Sequence, residues 1–148
     1  MKVKDIMDTS PDFILGTDTF KHLVNILDQV KYHVVFVVDQ NGTLIGILTE
    51  GDMIKVLIPK YVTVDESLLG VMGENYFEKK SRECKDLTVN EIMTKNVITV
   101  QGDDTIIKAA ALMFINKIHS LPVVKNSKVI GILPRQILLK YITKVLTE

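Results

Sequence analysis

The segment Gly46-Ile47-Leu48-Thr49-Glu50-Gly51-Asp52 brings a glycine, a hydroxyl and a carboxylate to the point where an apolar run of strand length gives way to a helical pattern. The first amides of a helix lack an intrahelical acceptor and lie at the positive end of its dipole, so they favour an anion. A carboxylate at the same mouth accepts hydrogen bonds from a vicinal diol. Together these groups suit the phosphate and ribose of a nucleotide. The spacing of Thr49 and Asp52 is also close to that of a capping box, in which each side chain satisfies the other's backbone amide and does nothing more. Both readings stand on the spacing. Gly51 favours the first, because glycine in an opening turn lowers helix propensity and helps where something must approach the backbone.

Few other residues offer chemistry. His33 and His119 stand at matched places, each just before an apolar strand, where a packing role competes with a ligand role. His22 falls on the polar side of a helical pattern and reads as solvated. The single Cys84 reads as a small apolar residue, and the methionines as core filler. One cysteine permits no internal disulfide, and with three scattered histidines the donor count argues against a structural zinc site. No nucleophile-elbow, metalloprotease or phosphate-loop sequence occurs, so no catalytic residue is assigned and no cofactor is required.

The elements that position these groups come from an internal repeat. Val3, Ile6 and Met7 return as Val89, Ile92 and Met93, and at the same spacing Lys31 returns as Lys117 and His33 as His119. The spacing shortens by one residue between the paired apolar runs, where Gln40-Asn41-Gly42 faces Asn126-Ser127. A hairpin turn accepts such a deletion easily. Within a repeat, Phe20, Leu23, Val24, Leu27 and Val30 form a helical stripe after Asp18, a good N-cap residue. Val34 to Val38 and Leu44 to Leu48 read as a buried hairpin. Thr49 opens a second helix that stops before Pro59. With a short extended piece near Ile14, each unit is β-α-β-β-α, and the fold class is α+β. The boundaries fall at 1–58 for the first repeat, 59–88 for a connector and 89–148 for the second. In the connector, Asp65 to Met72 and Glu74 to Leu87 read as helical, the latter with Phe77, Lys80, Cys84 and Leu87 on one face.

Composition narrows the function classes. The chain has 148 residues, 47% of them hydrophobic, and its 18 basic and 18 acidic side chains cancel. Without net charge or a dense basic run it lacks the footprint of a nucleic-acid binder. No apolar run approaches the roughly 20 residues of a membrane span, and the opening MKVKDIMD has no apolar signal core. A cytoplasmic location without membrane contact is predicted. The first repeat is acidic and the second basic, so the second would carry more of an anion's charge. The helix from Thr105 to Lys117 is apolar nearly all round, and the last helix, from Ile137 to Leu146, is similar. Such helices need cover on both faces, which predicts a two-fold homodimer through them.

The repeat, its β-α-β-β-α order and three phrases resemble the tandem cystathionine-beta-synthase (CBS) domain pair, or Bateman module. The phrases are Val-x-x-Ile-Met at 3–7 and 89–93, Gly-Ile-Leu-Thr-Glu-Gly-Asp at 46–52 and His-Ser-Leu-Pro-Val-Val at 119–124. The resemblance covers all but the connector. It implies two repeats packed sheet to sheet around a pseudo-two-fold axis, with two related clefts that take adenosine compounds such as AMP, ADP, ATP or S-adenosylmethionine. Gly46, Thr49 and Asp52 match the family's ligand pattern, with Ile47 inside it; Asp52 would accept from the ribose and Thr49 would meet a phosphate. His33 matches a basic position that faces phosphates. The adenine would lie on the opening of the other repeat, read by the backbone from Thr94 through Asn96 and covered by Val97 and Ile98.

The second copy departs from the pattern, with Pro134 in place of the hydroxyl and Ile137 in place of the carboxylate. One well-formed site per chain is therefore expected, or an altered second site with His119 and Arg135 turned to phosphates. In the first copy Phe36 stands where proline is frequent, and Val34 where a second basic residue often helps polyphosphates. What the resemblance implies for function is a regulatory module that senses an adenine nucleotide and signals to a separate protein. The alternative is a scaffold without ligand, in which Thr49 and Asp52 only cap a helix.

Overall fold

The computed structural model describes residues 1–148. Two three-stranded sheets hold the repeats. In the first, β1 (Phe13–Leu15) runs parallel to β2 (Val34–Val38), which pairs antiparallel with β3 (Leu44–Thr49). In the second, β4 (Val100–Gln101), β5 (Ser120–Lys125) and β6 (Lys128–Pro134) repeat that order and those directions. The hairpins turn where the sequence predicts. Gly42 has φ +78°, and in the shorter second turn Asn126 and Ser127 both take left-handed backbone, the conformation a two-residue hairpin demands.

In the first repeat α2 (Phe20–Ile26) packs Phe20 and Leu23 inward, and α3 (Glu50–Leu57) packs Met53 and Leu57. The cap of α2 is Thr19 rather than Asp18: the Thr19 hydroxyl accepts from the His22 amide at 3.2 Å. Asp18 lies one residue too early. Its carboxylate instead closes the preceding turn by accepting from the Leu15 amide at 3.0 Å. The second repeat has α7 (Ile106–Asn116) and α8 (Arg135–Thr147), and Pro134 stands just before α8.

The connector differs from the sequence reading in detail. Pro59 starts an additional helix, α4 (Lys60–Val64), and a 3₁₀ segment covers Glu66–Val71. Helix α5 (Tyr76–Cys84) is shorter at both ends than predicted. Cys84 is buried in the first core and Leu87 packs on it, but Phe77 is exposed, so the predicted single face is not formed.

The openings of the two repeats are exchanged. Helix α1 (Val3–Ile6) lies in the second core, where Val3 is fully buried and its amide donates to the Asp104 carbonyl at 3.0 Å. Helix α6 (Val89–Ile92) lies in the first core, where Val89 is fully buried and donates to the Asp18 carbonyl at 2.8 Å. Burying each valine stabilises by roughly 1.5–3 kcal/mol. Between the sheets, Val34 and Phe36 of β2 meet Ile132 of β6, with Tyr32, Leu44, Ile47 and Val129 around them.

Outside these cores the helices of the second repeat stay uncovered. α7 buries Ala109 and Met113 but exposes Ile107, Phe114 and Ile115, and no residue of α8 is buried. No helix is long and apolar enough to cross a membrane.

Candidate functional site

Two seams form where the end of a third strand meets the opening of the other repeat. In the first, Ile47 and Thr94 pair as an antiparallel bridge, with amide-to-carbonyl distances of 3.0 and 2.9 Å. Gly46 makes this approach possible, since a Cβ there would run into the Met93 thioether and lie 3.1 Å from the Thr94 carbonyl. The second seam repeats the design with Ile132 and Asp8, bonded at 2.8 and 3.0 Å, and Gly131 in the role of Gly46.

At the first seam Thr49 and Asp52 form the complete capping box. The Thr49 amide donates to Asp52 Oδ2 at 2.9 Å, and the Asp52 amide donates to Thr49 Oγ1 at 3.4 Å. One carboxylate oxygen remains, and it faces the other repeat: the Thr94 hydroxyl donates to Asp52 Oδ1 at 3.1 Å. The cap is thus also a link across the seam. A Cβ on Gly51 would meet only the Thr49 hydroxyl oxygen, at 3.5 Å, so nothing within the chain requires glycine there.

His33 sits at the same mouth. Its φ is 61°, its side chain is 66% exposed, and its Nδ1 lies 3.0 Å from a carboxylate oxygen of Glu50, the first residue of α3. The packing role open to it in the sequence is not the one it takes. His119 is exposed as well, and with Arg135 it rims an apolar groove between α7 and α8, lined by Ile106, Phe114, Leu138 and Ile142. His119 lies in the loop between α7 and β5 and Arg135 opens α8; the Arg135 amide donates to the His119 carbonyl at 2.9 Å. In the opening segment Asn96 is exposed and Val97 is half-buried, while Ile98 packs on the second core.

The second seam holds a cluster that the sequence reading missed. Asp8 Oδ2 accepts from the Tyr32 hydroxyl at 2.6 Å and pairs with Lys31 Nζ at 3.0 Å, while Oδ1 accepts from the Ser10 amide at 2.8 Å. The Tyr32 hydrogen bond, followed by the Ser10 amide and Lys31, holds the Asp8 carboxyl at about 2. That same bond, aided by burial, pushes the Tyr32 phenol up to about 12. Asp8 stands at the repeat position of Thr94, but Tyr32 corresponds to Ile118, so self-similarity gave no signal for the pair. Where Asp52 would be expected stands Ile137, half-buried against the second core. Asp8 comes from the opposite side of this seam and is already engaged by three donors.

Comparison with known proteins gives the same organisation. The CBS domain family model matches residues 3–59 and 89–144. The chain is 30% identical over 145 residues to a CBS domain-containing protein of Dictyostelium discoideum, covering 97% of this chain and 92% of that one. It is 33% identical over 139 residues to a homoserine O-acetyltransferase of Methanocorpusculum labreanum, of which it spans only 23%. Among solved structures, the CBS domain pair of protein MJ0100, in complex with 5′-methylthioadenosine and S-adenosyl-L-methionine, superposes with a TM-score of 0.73 at 26% identity. That match covers 96% of this chain and 99% of that one.

Proposed function

The chain belongs to the CBS domain family as a tandem pair, and on that premise we propose that it is a regulatory module binding one adenosine-type ligand in the first seam. Candidates are AMP, ADP, ATP and S-adenosylmethionine. The observation that carries the reading is the second oxygen of Asp52. It already accepts from a hydroxyl, that of Thr94, at the junction of the repeats. A ribose hydroxyl is the same kind of donor, and Oδ2 keeps the helix capped meanwhile. The MJ0100 domain pair, complexed with two adenosine compounds, supports the ligand class.

In this reading Thr49 and the first amides of α3 face the 5′ end, with His33 beside them, and the base lies on residues 94–98. Signalling follows from differential affinity: a ligand bridging the repeats favours one arrangement of the pair, and a homodimer through α7 and α8 passes it to a separate protein. Calorimetric titration of wild type and Asp52→Ala with the four compounds tests the site. Saturable binding lost in the variant is expected, and equal binding by both would remove Asp52 from it.

The completed capping box favours a second reading, a scaffold that binds no small molecule. It requires that none of the compounds raise the melting temperature. A ligand at a hundred times its dissociation constant would stabilise by about 2.7 kcal/mol.

A further inference from the structure

The mouth of the first seam is acidic, although the dipole of α3 alone would make it attractive to anions. Glu50 and Asp52 both lie in the first turn of the helix. A basic side chain beside them, His33, lies 3.0 Å from Glu50. With His33 protonated that pair is neutral; otherwise it carries a full negative charge. Of the other cations, Lys31 is paired with Asp8 at the second seam and Lys55 lies in the last turn of α3, while Lys95, exposed and in no ion pair, follows Thr94 on the segment assigned to the base.

Resting on the first-seam reading, we infer that Glu50 sets ligand specificity by charge. The ligand class is an adenosine whose 5′ substituent is uncharged or cationic, a thioether or a sulfonium, rather than a phosphate. With the diol on Asp52 and the base on residues 94–98, the 5′ carbon is left facing Glu50 and His33. A phosphate there meets two carboxylates that already complement the helix dipole, and it must displace Glu50 from His33. A sulfonium gains from the same carboxylates, and a thioether asks nothing of them. Glu50 is 52% and His33 66% exposed, so solvent and salt weaken the effect but leave its sign.

The experiment is calorimetric titration of the whole chain with 5′-methylthioadenosine, S-adenosylmethionine, AMP and ATP, using wild type, Glu50→Gln and Asp52→Ala. The wild type is expected to bind the two sulfur compounds more tightly than the two phosphates. Glu50→Gln is expected to tighten AMP and weaken S-adenosylmethionine by about fivefold each, with 5′-methylthioadenosine changed by less than about twofold. His33→Asn, which suits the left-handed backbone, is expected to weaken AMP further and spare the thioether. AMP or ATP binding more tightly than 5′-methylthioadenosine, or a Glu50→Gln variant with the wild-type order and ratios, would overturn charge selection. Loss of binding in Asp52→Ala would in that case leave the site reading in place. No binding by any of the four compounds would overturn both.

Discussion

Thr94 of the second repeat donates its hydroxyl to Asp52 of the first at 3.1 Å, so one carboxylate both caps a helix and ties the two halves together. These duties use different oxygens and can be separated by mutation. Thr94→Val removes the link and keeps the cap. A loss of about 0.5–1.5 kcal/mol in urea denaturation is expected, with adenosine affinity equal or higher because Oδ1 is released. Thr49→Ala should cost about 1 kcal/mol through the cap. A Thr94→Val protein that melts normally yet loses nucleoside binding would show that the hydroxyl contacts the ligand instead.

The two glycine crossings are expected to differ. In Gly131→Ala the new methyl would lie 2.9 Å from the Asp8 carbonyl, which is fixed by its bridge to Ile132. In Gly46→Ala the comparable carbonyl, Thr94, is at 3.1 Å; at both crossings the closest atom is the sulfur of a flexible methionine, Met7 or Met93, so the carbonyl makes the difference. Both changes overpack a seam, at about 1–3 kcal/mol. Gly131→Ala should be the worse of the two by chemical denaturation.

The Asp8–Tyr32 pair gives a dependence on pH at both extremes. Asp8 is lowered from its ordinary 3.8 to about 2, so its contribution to stability is complete above pH 4 and disappears as pH falls toward 2. Tyr32 is raised from 10.0 to about 12, so its contribution is complete below pH 10 and disappears as pH rises toward 12. Tyr32→Phe should cost about 1–2 kcal/mol at neutral pH and flatten both limbs of a melting temperature against pH profile. A variant that keeps the wild-type acid limb would assign that limb to other carboxylates.

The uncovered face of α7 and α8 bears on assembly. Phe114 is 87% and Ile107 75% exposed. Sedimentation equilibrium is expected to give the mass of two chains for the wild type and of one for Phe114→Glu, with unchanged circular dichroism. A wild type that sediments as a single chain at high concentration would rule out the dimer.

Much of this architecture could be read from the chain because it is written twice. The repeated Val-x-x-Ile-Met and Gly-Ile-Leu phrases, the Asn41-Gly42 turn and the Thr49 cap depend on local pattern, and local pattern is visible in sequence. The Asp18 to Thr19 correction shows the limit of that approach: two adjacent residues were both capable caps, and backbone geometry chose between them. The exchange of α1 and α6 joins residues far apart in sequence, and no periodicity records such contacts. Glu50 carried no signal of its own in the sequence, because its partner His33 precedes it by a strand hairpin. Asp8 with Tyr32 was hidden for the opposite reason, since only one copy of the repeat has the tyrosine.

The exchanged openings also constrain how the molecule can be made. Residues around Val3 are synthesised well before the pocket that receives them, which is built from Val100, Leu121 and Leu133 about a hundred positions later. Until then the segment around Val3 has no pocket to enter, and the first core lacks Val89. Neither repeat can close its core alone, so both cores are completed only when both repeats have been made, and a chain stalled within the connector lacks the parts of each.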